Sequence, residues 1–154
     1  MAPSTVVDVE ELLESVMDPE LSEISIRDLG ILRGVRDEDG VMVVTVTPTY
    51  SGCPAMGQIA DDIAEVLEGA DVAYELRTVL DPVWTTDWMS EKAKRSLRKW
   101  GIAAPASVGK VERITCPQCG EKDTEVLSIF GSTACKAMNR CLSCLEPFES
   151  FKAI

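Results

Sequence analysis

Apolar side chains recur at helical spacing over residues 5 to 17, where Val6, Val9, Leu12, Leu13, Val16 and Met17 share one face and Asp8, Glu10, Glu11 and Glu14 stand mostly opposite. The pattern predicts a first helix that stops at Asp18-Pro19. Two β-rich runs, Gly30 to Arg36 and Val41 to Thr47, flank the turn signal Asp37-Glu38-Asp39-Gly40 and predict a hairpin. Its second strand is apolar on both faces, as a central strand requires. A second helix is expected from about Pro54 to Glu68, with Met56, Ile59, Ala60, Ile63, Val66 and Leu67 inward, Pro54 at its start and Gly69 past its end. Val72 to Leu80 alternates as a third strand, with Tyr74, Leu76 and Leu80 on one side, and Asp81-Pro82 ends it. A segment carrying Trp84 and Trp88 leads into a basic helix that closes at Trp100.

The pattern then lapses. Gly101 to Gly109 has small residues and no charge, the composition of a linker, and divides a first domain at residues 1–100 from a second at 110–154. The second is expected to run as a strand, a cysteine knuckle, a strand near Glu125 to Phe130, a Gly131-Ser132-Thr133 turn, a second knuckle and a strand near Phe148 to Ala153. The expected fold class is α+β: a small N-terminal domain with a three-stranded sheet and helices, then a β-rich four-Cys zinc ribbon.

The ribbon reading rests on two C-x-x-C pairs, Cys116/Cys119 and Cys141/Cys144. Two residues between cysteines let a tight knuckle aim both sulfurs at one ion, and a second knuckle completes the tetrahedron Zn²⁺ prefers. The intervening stretch, residues 120 to 140, is slightly longer than the usual spacing of about 15 to 20 residues. Two disulfides or four unrelated thiols are the alternatives. The N-terminus turns acidic at once without a basic start and apolar run, and no stretch reaches the length of a membrane span. The expected location is therefore the cytoplasm, where paired thiols stay reduced and bind metal.

Charge and composition narrow the chemistry. The net charge of -11 comes from the first part, since residues from 110 onward balance six basic against six acidic side chains. A ribbon without a positive footprint is not expected to bind nucleic acid. With no histidine in the chain, Ser-His and Cys-His nucleophile pairs, histidine-ligated catalytic zinc and the Glu-x-x-His di-iron motif are excluded. Thiols and carboxylates are left to do any chemistry.

Cys53 is the foremost candidate outside the ribbon. It follows a strand and precedes a helix opened by Pro54, so the unpaired N–H groups and positive helix end favour a nucleophilic, metal-binding thiolate. Thr49, Ser51 and Gly52 make its loop polar and open to a ligand; a buried, inert cysteine capping the turn is the plainer reading. Asp18 and Glu20 place two carboxylates at a helix end, or simply stop the helix. Cys135 is a spare thiol, an alternative metal ligand or a second working cysteine, with Lys136 and Arg140 near enough in sequence to favour its thiolate. The basic helix carrying Lys92, Lys94, Arg95, Arg98 and Lys99 is a solvated face, or with Trp84, Trp88 and Trp100 a docking surface.

Met17-Asp18-Pro19-Glu20-Leu21, Ile24-Ser25-Ile26-Arg27-Asp28-Leu29-Gly30-Ile31, Thr47-Pro48-Thr49-Tyr50-Ser51-Gly52-Cys53-Pro54 and Trp84-Thr85-Thr86-Asp87-Trp88-Met89-Ser90 together resemble the small domain shared by SufT-like and cytosolic iron–sulfur assembly proteins. Joined to a ribbon bearing Phe130-Gly131-Ser132-Thr133-Ala134-Cys135-Lys136, the second Cys pair and Glu146-Pro147-Phe148-Glu149, the chain is similar over nearly its whole length to the family of PaaD-type components of the bacterial phenylacetyl-CoA epoxidase system. The resemblance implies a setting of aerobic phenylacetate degradation, in which a di-iron oxygenase epoxidises the ring and an iron–sulfur flavoprotein reductase supplies electrons. It implies an accessory that assists metal-centre maturation and is not itself the catalyst, with those oxygenase or reductase components as partners. On this reading Cys116, Cys119, Cys141 and Cys144 hold structural zinc. Cys53 then handles transient iron or an iron–sulfur cluster with help from Asp18, Glu20 and Cys135. The alternative is a non-catalytic structural or docking subunit of the oxygenase complex.

Overall fold

Thr5 starts the first helix of the computed structural model, which describes residues 5–109 and 113–153. Its hydroxyl accepts the Asp8 N–H and the Asp8 carboxylate accepts the Thr5 N–H, both at 3.2 Å, a reciprocal box that fixes α1 (Val6–Leu13). The helix ends a turn earlier than its periodicity predicts. Met17 instead forms an antiparallel bridge with Ser25, and the Asp18 N–H donates to Ile24 O at 2.9 Å. Val16 is buried all the same, so the apolar period was real while the backbone left the helix. Ser25 then caps a single turn, α2 (Ile26–Leu29), closed by Gly30 at φ 85.

The hairpin forms as predicted, between β1 (Leu32–Glu38) and β2 (Val41–Val46). Asp39 and Gly40 take φ 54 and 86, the left-handed pair that a two-residue hairpin loop demands. β2 is the central strand: β1 pairs with it antiparallel and β3 (Tyr74–Thr78) parallel, the latter reached through the crossover helix α3 (Ala55–Gly69). Ile59, Ile63 and Leu67, four residues apart on α3, are fully buried and share the core with Val9 and Leu13 of α1, which packs against α3 and β1. β3 is an edge strand that ends at Thr78, so Leu80, expected as its last residue, lies beyond it and is exposed. Trp84 is 2% exposed, its indole N–H donating to Leu29 O at 3.0 Å.

Trp84 closes the first of two units, Met1–Trp84 and Thr85–Ile154. In the second, a 3₁₀ turn (Thr86–Trp88) precedes α4 (Glu91–Lys99), where the Ser90 hydroxyl accepts the Ala93 N–H at 3.0 Å and Ala93 and Leu97 are buried. Four strands follow: β4 (Ile102–Ala103), β5 (Thr124–Ser128), β6 (Lys136–Cys141) and β7 (Pro147–Phe151), in the order β4-β7-β6-β5. The compact units thus meet ahead of α4, at Trp84 and Thr85, whereas the expected domain boundary lies at residues 101–109. Ile102 and Ala103 pair in parallel with Glu149 and Ser150, which ties that uncharged segment into the sheet. The strand predicted ahead of the first knuckle falls partly on residues 110–112, outside the described residues; Arg113–Thr115 is not extended into a ladder. Ala103, Cys116, Cys141 and Phe148, with Ile114 against them, form a core cluster of this unit.

Candidate metal centre

Both knuckles are built the same way. After the first, Gly120 takes φ 80, its N–H reaching Cys116 O at 3.0 Å while the Cys116 N–H reaches Glu121 O at 2.8 Å. After the second, Leu145 takes φ 65, and the Cys141 N–H reaches Glu146 O at 3.0 Å. The left-handed residue turns the chain so that both sulfurs of a pair point the same way. At Gly120 the sequence supplies the residue type such a backbone favours. At Leu145 it does not, because nothing about an exposed leucine announces a left-handed backbone.

The four sulfurs lie within 4.8 Å of one another. Across the knuckles Cys116 Sγ is 3.8 Å from Cys144 Sγ, and Cys119 Sγ is 3.6 Å from Cys141 Sγ. A disulfide would put two sulfurs at about 2.05 Å. An ion about 2.3 Å from each of four sulfurs at tetrahedral angles sets them about 3.8 Å apart, which is the spacing found. None of the six cysteines is joined in a disulfide, so the disulfide alternative is dropped.

The thiols also differ in acidity. The backbone N–H of Cys144, 3.5 Å from Cys141 Sγ, together with that of Ser143 and the neighbouring sulfurs of Cys119 and Cys144, draws the Cys141 thiol down to about 7 against the effect of burial. For Cys119 the backbone N–H of Glu121 also favours the thiolate. Desolvation and the sulfurs of Cys141, Cys144 and Cys116 outweigh it and push that thiol up to about 12. Cys144 rises too, the Glu146 N–H being outweighed by desolvation and Cys141. Four thiolates at this spacing are sustained by a divalent cation among them, which is what a soft, sulfur-only donor set selects.

The other predicted residues are dispersed. Cys53 is half-buried one residue before the Pro54 cap of α3, its N–H donating to Tyr50 O at 3.1 Å and its carbonyl accepting from the Met56 N–H at 3.3 Å. Asp18 is buried, and its Oδ1 accepts the N–H groups of Glu20 at 2.8 Å and Leu21 at 3.0 Å, so the carboxylate organises a turn. Asp18 also lines a cleft of about 410 Å³ with Asp62 and Glu65 of α3, a lining that includes neither Cys53 nor Glu20. Asp62 is nine residues along α3 from Cys53, about 13 Å of helix. Glu20 is exposed.

Cys135 is buried, its sulfur 3.0 Å from the Thr133 hydroxyl. It precedes β6, whose far end carries Cys141, and six extended residues span about 20 Å, so Cys135 is not an alternative ligand for the four-sulfur site. The two cations expected to favour its thiolate are engaged elsewhere: Lys136 Nζ with Glu149 at 3.8 Å, and Arg140 with Glu125. Trp84, buried in the first unit, is not part of a docking face. Among the described residues no helix is long and apolar enough to cross a membrane.

Comparison with known proteins agrees with this two-unit arrangement. Residues 7–73 match the family model described as iron-sulfur cluster assembly protein, and residues 103–152 match the PaaD zinc beta ribbon domain. The chain is 41% identical over 159 residues to a protein of Escherichia coli (strain K12) named as a component of 1,2-phenylacetyl-CoA epoxidase, covering 100% of this chain and 96% of that one. It is 42% identical over 87 residues to the Fe-S protein maturation auxiliary factor SufT of Staphylococcus aureus (strain USA300), covering 53% of this chain and 96% of that protein. Among solved structures, a DUF59 domain from Bacillus anthracis aligns with TM-score 0.55 at 36% identity, over 60% of this chain and 90% of that one.

Proposed function

The chain belongs to the PaaD family of phenylacetyl-CoA epoxidase components, and from that premise we propose that it is an accessory of the ring-epoxidase system in aerobic phenylacetate degradation that assists maturation of an iron–sulfur or other metal centre in its oxygenase or reductase. The observation that carries this reading is Cys53, a free, half-buried thiol after Gly52 at the start of α3, in the unit matched by the iron–sulfur assembly model. A thiolate is the soft ligand that iron–sulfur species prefer, and a site with few ligands releases its cargo readily. Asp18, which holds its turn, Glu20 and Cys135 are the further candidates on this reading, Cys135 being buried in the other unit. Cys116, Cys119, Cys141 and Cys144 hold a structural zinc, and the ribbon docks the partner.

The test is a strain whose only copy carries Cys53→Ser. The purified variant is expected to keep its fold and one equivalent of zinc while anaerobically bound iron is lost and cofactor occupancy of the oxygenase or reductase falls. Normal occupancy in that strain overturns the maturation role and favours a purely structural component.

A further inference from the structure

Charge is divided sharply between the two units. Met1–Trp84 carries eighteen acidic and four basic residues, whereas Thr85–Ile154 carries eight acidic and eleven basic. The excess of cations in the second unit is concentrated on α4, where Glu91 to Trp100 holds five basic residues and one acid. Lys94 pairs with Glu91 at 3.4 Å. The exposed side chains of Arg95, Arg98 and Lys99 form no ion pair among the described residues. A helix C-terminus attracts cations, which accounts for Arg98 and Lys99 as stabilisers of α4. It does not account for Arg113, which lies on another segment and faces the same cleft.

That cleft has a volume of about 470 Å³ and is lined by Arg98 and Arg113 over Ala104, Pro105 and Ile114. No carboxylate lines it among the described residues, and Arg113 has one long contact, 4.0 Å to Asp123. Two guanidiniums over a partly apolar floor that also includes Cys116, with Arg95 and Lys99 beyond them on α4, suit an extended segment that alternates carboxylates with small apolar side chains. A nucleic acid is a poorer match, because it needs a broad positive footprint, whereas the cations here are confined to α4 and Arg113 and the residues from 110 onward balance six basic against six acidic.

We infer that the Arg98/Arg113 cleft, extended by Arg95 and Lys99 of α4, is a docking site for an acidic segment of a partner protein. This gives a location to the docking role proposed for the ribbon-bearing unit and rests on that reading; Cys116 of the four-sulfur site also lines the cleft, but neither Cys53 nor the residues substituted in the test belong to that site.

The probe is a fluorescein-labelled twelve-residue peptide of alternating Glu and Ala or Leu, titrated with the full chain and followed by anisotropy at two salt concentrations. Binding is expected to weaken with salt and to fall at least tenfold in Arg98→Glu/Arg113→Glu, while Arg33→Glu/Arg36→Glu on the first unit and Cys53→Ser leave it unchanged. Unaltered zinc content and circular dichroism show that the reversal variant has folded; Arg98→Gln/Arg113→Gln, with an intermediate loss, serves if it has not. No saturable binding, equal loss in the Arg33/Arg36 variant, or tighter binding of a single-stranded oligonucleotide than of the peptide overturns the proposal. Loss of cofactor occupancy with Cys53→Ser but intact peptide binding separates the two readings.

Discussion

Glu149→Gln removes one negative charge from the ribbon-bearing unit with almost no change of shape. Glu149 Oε1 accepts the Ser132 N–H at 2.5 Å and Oε2 accepts the Ser132 hydroxyl at 3.0 Å, with Lys136 Nζ 3.8 Å away. Burial acts to raise this carboxyl, but the Ser132 N–H and hydroxyl and the Lys136 ammonium outweigh it and hold the group below the usual range. The Lys136 side chain is 7% exposed and that of Glu149 20%, so neutralising Glu149 strands a nearly buried cation. Breaking a fully buried pair costs about 3–5 kcal/mol, and with Glu149 partly solvated and Gln still able to accept from Ser132 the expected loss is about 2 kcal/mol. Lys136→Met in the same chain removes the stranded charge, so the double variant should recover to within about 1 kcal/mol of the parent. The sign with pH follows from the lowered folded value. The carboxylate's contribution is complete above its unfolded value near 4.5 and is lost only as pH falls through the folded one, so the gap between parent and variant should stay constant from pH 8 to 5. Urea unfolding read by metal release to a chromogenic chelator follows this unit alone. Equal stability of parent and Glu149→Gln, or a double variant weaker than the single one, would refute the stranded-cation argument.

Leu145→Gly should stabilise the second knuckle by about 0.5–1 kcal/mol, the relief of a left-handed backbone less the entropy glycine adds to the unfolded chain, whereas Leu145→Val should weaken it by about 1 kcal/mol. Metal retention against a graded chelator series ranks the three, and a glycine variant that releases metal sooner than the parent contradicts the geometry. Stripping the metal with excess chelator at pH 7 should abolish the near-ultraviolet signals of Trp88 and Trp100 while Trp84 and the helices of the first unit persist. Because binding displaces protons from Cys119 and Cys144, metal affinity should fall as pH is lowered; an apo chain with every tryptophan signal intact would show that the ion is dispensable.

Which elements could be read in advance follows from how local their causes are. α3, the β1–β2 turn at Asp39-Gly40 and the knuckle cysteines are specified by side chains within a few residues of one another, and each forms as its pattern predicts, save that α3 takes in Gly69 and is capped by Ala70. α1 fails at its last turn because Val16 is buried equally well in a helix or in the bridge that replaces it, and the deciding bond, Met17 with Ser25, joins residues the period does not relate. β6 went unpredicted because Lys136 and Asn139 look like surface residues; both are buried, one meeting Glu149 and the other donating to the Ser150 hydroxyl at 2.7 Å, partners supplied by β7. Ile102–Ala103 reads as linker for a similar reason, since its partner strand lies more than forty residues further on. At the site, the clustering of the four cysteines was legible from spacing alone, whereas the Arg98/Arg113 cleft was not, because its two guanidiniums come from segments on either side of the uncharged stretch.

The position of the four sulfurs bears on where a transferable metal can sit. Cys116 and Cys141 belong to a core cluster of their unit, packed with Ala103 and Phe148, so an ion held there is part of the packing of the sheet. Releasing it removes ligands and core contacts together, and a small unit of this kind has little other apolar burial to fall back on. A carrier must load and unload without unfolding, which requires ligands outside such a core. Cys135 is buried against Thr133 on the hairpin that leads into β6, which restricts access to its sulfur. Cys53 is half-buried on a polar loop, and its fold unit keeps Val9, Leu13, Ile59, Ile63 and Leu67 packed whether or not the thiol is occupied. The physical demand for reversible binding thus points away from the motif with the most ligands and toward a thiol that the core does not need.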